Sequence, residues 1–149
     1  MMTTQEVADV LVAANEQGFL PGRRAAYDVA ADPLDIRHIP DWPGDGPMAR
    51  ETFLSIGERE EEAWRSALTD LRQEDVSASV DGDVVELKRT LCGTRPDGTP
   101  VRIPLRNHYT VEGGRVVSIV PYLDPDLMEL IRDLLSAGGF DPDAEYESD

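Results

Sequence analysis

Apolar side chains recur at helical spacing over the first half of the chain, three or four residues apart. Thr3 and Glu6 have the spacing of a capping box, so a helix is predicted from about Thr4 to Glu16. Pro21 suits the first turn of a second helix, which is expected to end before Pro33. The apolar positions of the first helix follow the i, i+3, i+4, i+7 pattern and are Val7, Val10, Leu11 and Ala14.

A third helical region begins near Pro47, and its extent is ambiguous. Its first apolar positions are Met48, Phe53, Leu54 and Ile56. Gly57 and the charged stretch 58–62 interrupt this pattern, and helical spacing resumes at Ala63, Trp64, Ala67, Leu68 and Leu71. The pattern leaves open whether residues 58–71 continue the helix or fold back as a separate one.

The second half of the chain carries β-branched and alternating apolar residues between turn signals, which is typical of strands. A short strand precedes the third helix over Leu34–Ile39, followed by a loop over 40–47. Four longer strands can pair in sequence as an antiparallel meander, and they are predicted at 74–80, 84–92, 101–111 and 115–123. Asp124 and Pro125 are typical of the N-cap and first residue of a final helix, which ends at Gly138-Gly139.

The net charge of −16 is large for a chain of 149 residues. Five acidic side chains lie within residues 141–149, so the rest of the chain still carries a charge of −11. A field of this sign repels nucleic acid phosphates and anionic lipid headgroups, so no nucleic acid and no membrane is expected as a partner. We expect one domain over residues 1–140 and a disordered acidic tail over 141–149.

Cysteine and histidine are too sparse for a disulfide or a metal site. Cys92 is the single cysteine, and His38 and His108 lie far apart in sequence without the spacing of metal ligands. We therefore expect no metal. The chain also lacks an apolar run of the roughly 20 residues that span a bilayer. Its first residues do not resemble a signal peptide, so the cytoplasm is the expected location.

The order of the predicted elements and three local stretches resemble the nuclear transport factor 2-like superfamily in its SnoaL-like branch. The stretches are Ile36-Arg37-His38-Ile39-Pro40, Gly98-Thr99-Pro100 with the following strand, and Gly114-Arg115-Val116-Val117 running to Tyr122-Leu123-Asp124. The resemblance spans about residues 4–137. It implies an α+β fold in which a cone-like, curved antiparallel sheet packs on N-terminal helices and holds an apolar cavity. It also implies a homodimer that forms through the outer face of the sheet.

One enzyme group of this superfamily, the limonene epoxide hydrolases, positions a nucleophilic water with an Asp and an Asn and uses an Asp–Arg pair alongside. The matching stretch here is Lys88-Arg89-Thr90, where the family pattern has Arg-x-Asp. Pro121 stands where the pattern has a second Asp. Because both acids are missing, epoxide hydrolysis by that mechanism is not expected.

A second group, the ketosteroid isomerases, moves a proton with an Asp base while a Tyr and a protonated Asp stabilise the oxyanion. By resemblance, Asn107 falls at the position of the protonated Asp, and the base falls near His38 or Ile39. An Asn can donate a hydrogen bond and a His titrates near neutrality, so His38 and Asn107 are the candidate catalytic pair. The plainer alternative gives His38 a hydrogen bond to a backbone carbonyl and Asn107 one across the strands.

The same resemblance implies the other residues of a ligand pocket, which are Ile36, Trp42, Lys88, Thr90, Ile103, Leu105, Ile119 and Pro121. The placement of Lys88 is open because side chains alternate along a strand. In one placement Lys88 and Thr90 face the cavity, and Val85, Leu87 and Leu91 face outward. In the other placement those three apolar residues line the core and Lys88 is solvated.

Two functions are consistent with the sequence. In the first, the protein is a small enzyme that isomerises or cyclises an apolar, carbonyl-bearing molecule, such as a polyketide-, terpenoid- or steroid-like compound, without a cofactor. In the second, it is a non-catalytic module for ligand binding or dimerisation, which has lost the acids of its relatives. In both, the expected partner is a small hydrophobic molecule.

Overall fold

The computed structural model describes residues 1–147 of the chain. Five α-helices and six strands make up this part. They are α1 Thr4–Gln17, α2 Phe19–Val29, β1 Ala30–Ile36, β2 Gly46–Met48, α3 Arg50–Ala67, β3 Thr69–Asp81, β4 Val84–Thr94, β5 Pro100–Glu112, β6 Arg115–Tyr122, α4 Met128–Ala137 and α5 Pro142–Glu147, with a short 3₁₀ turn at Pro125–Leu127. No helix in the described part is long and apolar enough to cross a membrane.

The six strands form one sheet in the order β2-β1-β6-β5-β4-β3. Strands β3 to β6 form the predicted antiparallel meander. The sheet as a whole is mixed, because β1, for which the sequence predicted no partner strand, pairs in parallel with β6. Pairing register shifts within β3 and β5, and such bulges bend a strand and increase its twist. The result is the expected α+β architecture, with helices packed on a curved sheet.

The core lies between the helices and one face of the sheet. Alternate side chains of β4 and β5 point into it, and the helices bring their apolar stripes against them. The fully buried side chains include Val7, Leu11, Ile56, Leu87, Leu91 and Ile103. Burying a side chain of this size stabilises the fold by roughly 1.5–3 kcal/mol, so this layer accounts for the packing of the sheet against α1 and α3.

The helix boundaries follow the sequence signals where local chemistry sets them. Thr3 Oγ1 accepts a hydrogen bond from the Glu6 amide at 3.1 Å, and Glu6 Oε1 accepts one from the Thr3 amide at 3.0 Å. The predicted capping box is therefore present. At the other end of the chain, Asp124 Oδ1 accepts a hydrogen bond from the Asp126 amide at 2.9 Å, so Asp124 caps the 3₁₀ turn that leads into α4.

Helix α3 runs without interruption through Gly57 and ends at Ala67. A Cβ at Gly57 would lie 2.4 Å from Cγ of Arg23, so glycine here admits the Arg23 side chain against the helix rather than breaking it. Leu68 is the C-cap of the helix, and β3 begins at Thr69. Apolar residues at helical spacing therefore continue to Leu71, although the helix itself ends at Ala67.

The remaining differences concern short elements. Helix α2 ends at Val29 and β1 begins at Ala30, four residues earlier than predicted, and the predicted loop over 40–47 contains the start of β2. Residues Pro142–Glu147 form α5, in a segment for which the sequence predicted a disordered tail over 141–149. Residues 148 and 149 lie outside the described part of the chain.

Candidate active site

A cavity of about 110 Å³ lies between the sheet and the helices and is partly open at one side. Its walls are mainly apolar and include Ile36, Phe53, Leu91, Ile103, Ile119 and Ile131. An apolar cavity of about 150 Å³ binds benzene, so this smaller and partly open cavity holds at most one small ring. A ligand with several fused rings would have to protrude or displace side chains.

Most of the sequence-predicted pocket residues border this cavity. They are His38 and Asn107 together with Ile36, Trp42, Ile103, Leu105, Ile119 and Pro121. His38 follows the end of β1, and Asn107 lies on β5, whose inward face also carries Ile103 and Leu105. Side-chain alternation along β5 places Ile103, Leu105 and Asn107 on the same face of the sheet.

Lys88 and Thr90 do not border the cavity, and this part of the predicted pocket is wrong. Val85, Leu87 and Leu91 are buried in the core, whereas the Lys88 side chain is 60% exposed. Strand alternation then turns Lys88 and Thr90 to the opposite face, where both border a shallow outer groove. Of the two placements that the sequence allowed, the one with solvated Lys88 is correct.

His38 is held by a carboxylate in the loop before β2. Its Nδ1 lies 2.6 Å from Asp45 Oδ1, and its backbone amide donates to Asp45 Oδ2 at 2.8 Å. The Trp42 amide also donates to Asp45 Oδ2, at 3.2 Å. Burial lowers the pKa of His38 below its ordinary value, and the hydrogen bond and charge of Asp45 partly oppose this effect. The ring is therefore neutral near pH 7.

Asp45 was not singled out from the sequence. It lies seven residues after His38 in a loop rich in proline and glycine, and no local spacing rule relates the two side chains. Only the return of this loop toward the end of β1 brings them together. The plainer expectation for His38, a hydrogen bond to a backbone carbonyl, is replaced by this contact with a carboxylate.

Asn107 donates a hydrogen bond from Nδ2 to the Tyr109 hydroxyl at 3.1 Å. Tyr109 is only 4% exposed and borders the same cavity. Because the hydroxyl accepts from Asn107, its own proton remains available to an acceptor in the cavity. The strand pattern already contained this residue, since Tyr109 shares the inward face of β5 with Asn107. When a buried tyrosine is assigned only to the hydrophobic core, the hydrogen bonds of its hydroxyl are overlooked.

The end of the cavity nearest α1 and α3 carries charge that the sequence analysis missed. Arg89, on the inward face of β4, donates from Nε to Gln73 Oε1 at 2.8 Å. Arg23 donates from Nε to the Phe53 carbonyl at 3.2 Å and lies 3.8 Å from Glu60 Oε1. Three of these side chains, Arg23, Glu60 and Arg89, border the cavity. These three residues share one signal in the sequence, since each is a charged residue on the otherwise apolar face of a helix or strand.

Within residues 1–147, no group of three or more His, Cys, Asp or Glu side chains could hold a metal ion. Limonene epoxide hydrolases carry an acid at two positions, which are occupied here by Thr90 and Pro121. Thr90 lies away from the cavity, and Pro121 borders it without a titratable group. The expectation that the chain does not hydrolyse epoxides by that mechanism stays a prediction.

Comparison with known proteins gives structural neighbours only. No family model matches the sequence, and no curated protein matches it. A protein of ketosteroid isomerase-like fold from Catenulispora acidiphila, determined in complex with trimethylamine, has a TM-score of 0.57 at 17% identity, covering 95% of this chain and 98% of its own. A candidate polyketide cyclase from Xanthomonas campestris has a TM-score of 0.61 at 16% identity, covering 89% and 99%.

Two further structures extend the same result. A candidate SnoaL-like polyketide cyclase from Mesorhizobium loti has a TM-score of 0.57 at 21% identity, covering 81% of this chain and 99% of its own. A nuclear transport factor 2-like protein of unknown function from Burkholderia pseudomallei has a TM-score of 0.61 at 14% identity, covering 88% and 98%. At such identities the likeness concerns the fold. The chain therefore has the nuclear transport factor 2-like fold, in the form that these SnoaL-like and ketosteroid isomerase-like structures share.

Proposed function

We propose that the protein binds a small apolar molecule with a carbonyl group in this cavity and transfers a proton next to that carbonyl. The observation that carries the proposal is the contact of His38 Nδ1 with Asp45 Oδ1 at 2.6 Å, in a histidine that borders the cavity. An ionised carboxylate can only accept a hydrogen bond, so Nδ1 carries the proton of the neutral ring. Nε2 then keeps its lone pair and is the base.

Each step of this proton transfer uses a cavity residue. His38 Nε2 removes a proton from the carbon beside the carbonyl, and the electrons of that C–H bond form an enolate. The Tyr109 hydroxyl and the second N–H of the Asn107 amide donate to the enolate oxygen, where the negative charge develops. His38 returns the proton to a different carbon, which completes an isomerisation without an oxidant or a cofactor.

Ligand binding without chemistry is the second candidate function. The absence of carboxylates at Thr90, Asn107 and Pro121 favours it, because relatives use acids at these positions. The small volume of about 110 Å³ also argues against a multi-ring polyketide or steroid as substrate. In this alternative the Asn107–Tyr109 pair recognises an oxygen of the ligand, and the His38–Asp45 contact only fixes the loop that ends at β2.

The isomerisation of cyclohex-3-enone to the conjugated cyclohex-2-enone tests the proposal. The probe has one ring and an enolisable carbonyl, and the product is followed by its ultraviolet absorbance. We expect the protein to accelerate the reaction over buffer and His38→Ala to lose roughly 100-fold or more of that acceleration, as for removal of a general base. His108→Ala is the matched control, because His108 lies on the other face of β5 and contacts Glu86 at 2.7 Å.

Three outcomes contradict the proposal that His38 catalyses this proton transfer. If cyclohex-2-enone binds but the protein does not accelerate the reaction, the binding function remains. If His38→Ala retains the full rate, another group is the base. A lower affinity of His38→Ala for the product, with no turnover by either protein, also favours simple binding.

We further propose that two copies assemble through the outer face of the sheet. This face carries charge rather than an apolar patch, since Glu86 lies 2.7 Å from His108, 3.6 Å from Lys88 and 3.7 Å from Arg106. Polar contacts between copies are weakened by salt. Sedimentation in low and high salt tests the proposal: a dimer that dissociates in high salt supports it, and a monomer under both conditions contradicts it.

A further inference from the structure

Two hydrogen-bond donors at the cavity have no acceptor. Nη1 of Arg89 and Nε1 of Trp64 are both buried without a partner in the part of the chain that the structure describes. Both residues border the cavity. A buried donor that has lost its water and gained no acceptor is costly, and such groups are rare in native proteins. The described residues thus leave two donors, both on residues that border the cavity, without an acceptor.

A chain of buried hydrogen bonds holds the guanidinium of Arg89 in place. Its Nε donates to Gln73 Oε1 at 2.8 Å, and Gln73 Nε2 donates to the carbonyl of Asn15 at 3.0 Å and to its Oδ1 at 2.9 Å. Asn15 in turn donates to the Leu11 carbonyl at 2.8 Å. Gln73 and Asn15 are 8% and 4% exposed. Helix α1 and strand β3 therefore orient Arg89 before any ligand arrives, which lowers the entropy cost of binding.

The guanidinium of Arg89 has no carboxylate within salt-bridge distance among the described residues. Glu60 also borders the cavity, but it lies 3.8 Å from Arg23 Nη2, so these two charges compensate each other. Arg89 itself makes no salt bridge within residues 1–147; its one hydrogen bond goes to the neutral amide of Gln73. This end of the cavity therefore has an excess of one positive charge, in a protein whose net charge is −16.

We infer that the ligand of this cavity is a small acid, whose carboxylate accepts hydrogen bonds from Arg89 Nη1 and Trp64 Nε1. A carboxylate has only acceptor sites, and its planar pair of oxygens suits a guanidinium. The apolar remainder of the ligand lies against the isoleucine and leucine side chains of the walls. The inference rests on the proposed function, which assigns the cavity to a small apolar molecule, and it adds the acid group that this molecule carries.

Binding of benzoate and benzamide, measured by titration calorimetry, tests the inference. The two probes have nearly the same shape and differ in charge. We expect the protein to bind benzoate roughly tenfold or more tightly than benzamide, since hydrogen bonds to an ionised group are the stronger ones. Arg89→Met keeps an unbranched side chain that reaches about as far as Nε and removes the charge, and it should abolish the preference. Arg106→Met removes the same charge from the outer face and should retain it.

Trp64→Phe provides a second test if Arg89→Met does not fold. It removes the indole N–H, keeps an aromatic ring, and should weaken benzoate binding several-fold while leaving benzamide binding nearly unchanged. Equal affinities for the two probes, a preference that survives in Arg89→Met, or no binding of either would overturn the inference. Equal affinities leave the proton transfer proposal intact, because that proposal is measured by isomerisation and by His38→Ala. If the protein prefers benzoate but does not accelerate isomerisation, the inference of an acidic ligand is supported and the proton transfer proposal is contradicted.

Discussion

Gly57→Ala is a substitution whose effect on stability should depend on one other side chain. Gly57 lies within helix α3, where alanine is favoured over glycine by about 0.8–1 kcal/mol. In this protein, the added Cβ would lie 2.4 Å from Cγ, 2.6 Å from Nε and 2.9 Å from Cδ of Arg23. Cγ is close to the backbone of α2, so the whole Arg23 side chain has to move.

The contacts that Arg23 would lose determine the free energy that this movement costs. Its Nε donates to the Phe53 carbonyl at 3.2 Å, and its guanidinium lies 4.0 Å from the centre of the Phe53 ring. A hydrogen bond from a charged donor contributes about 1.5–3 kcal/mol, and the ring contact about 0.5–1 kcal/mol. These losses exceed the gain in helix propensity, so Gly57→Ala should destabilise the protein by about 1–3 kcal/mol.

The sign should reverse when Arg23 is truncated. In an Arg23→Ala background the clash is gone, and Gly57→Ala should stabilise by about 0.5–1 kcal/mol. Urea unfolding of the four proteins, followed by circular dichroism, measures both effects in one double-mutant cycle. If Gly57→Ala stabilises the protein that retains Arg23, the reasoning from this close approach is wrong.

Two further predictions concern the cavity face of the sheet and the titration of His38. Leu87→Ala should lower the free energy of unfolding by about 2–5 kcal/mol because Leu87 is fully buried. Lys88→Ala should change it by no more than about 0.5 kcal/mol. If urea unfolding gives similar losses for the two variants, the placement of β4 is wrong. Burial lowers the pKa of His38 from 6.5, so the unfolded chain binds a proton first and stability should fall as the pH decreases below about 6.5. His38→Gln should reduce this slope in unfolding experiments, and an unchanged slope would assign it to other groups.

The sequence predicted the fold through signals that are local or periodic. The capping box at Thr3, the meander of four strands and the inward face of β5 all follow from spacing over a few residues. The parallel pairing of β1 with β6 joins segments about 80 residues apart. Nothing in either segment specifies that contact, so the sequence predicted pairing only among the four strands of the meander.

The candidate site was predicted in part for the same reason. Alternation along β5 identified Asn107, but along β4 it allowed two placements, and the resemblance favoured the one in which Lys88 faces the cavity, whereas the structure exposes Lys88. Asp45 and Arg89 gain their roles from tertiary contacts, with His38 at 2.6 Å and Gln73 at 2.8 Å. A charged residue on an apolar strand face is the usable signal for Arg89. For Asp45 the sequence carries no comparable signal.

A crystal structure of the protein with cyclohex-2-enone tests the central claim most directly. We expect the ring to lie in the cavity, with its carbonyl oxygen within hydrogen-bond distance of Asn107 Nδ2 and the Tyr109 hydroxyl. We also expect His38 Nε2 to face the carbons between which the proton moves. A probe bound only in the outer groove beside Lys88, or a carbonyl turned away from Asn107 and Tyr109, would contradict the claim.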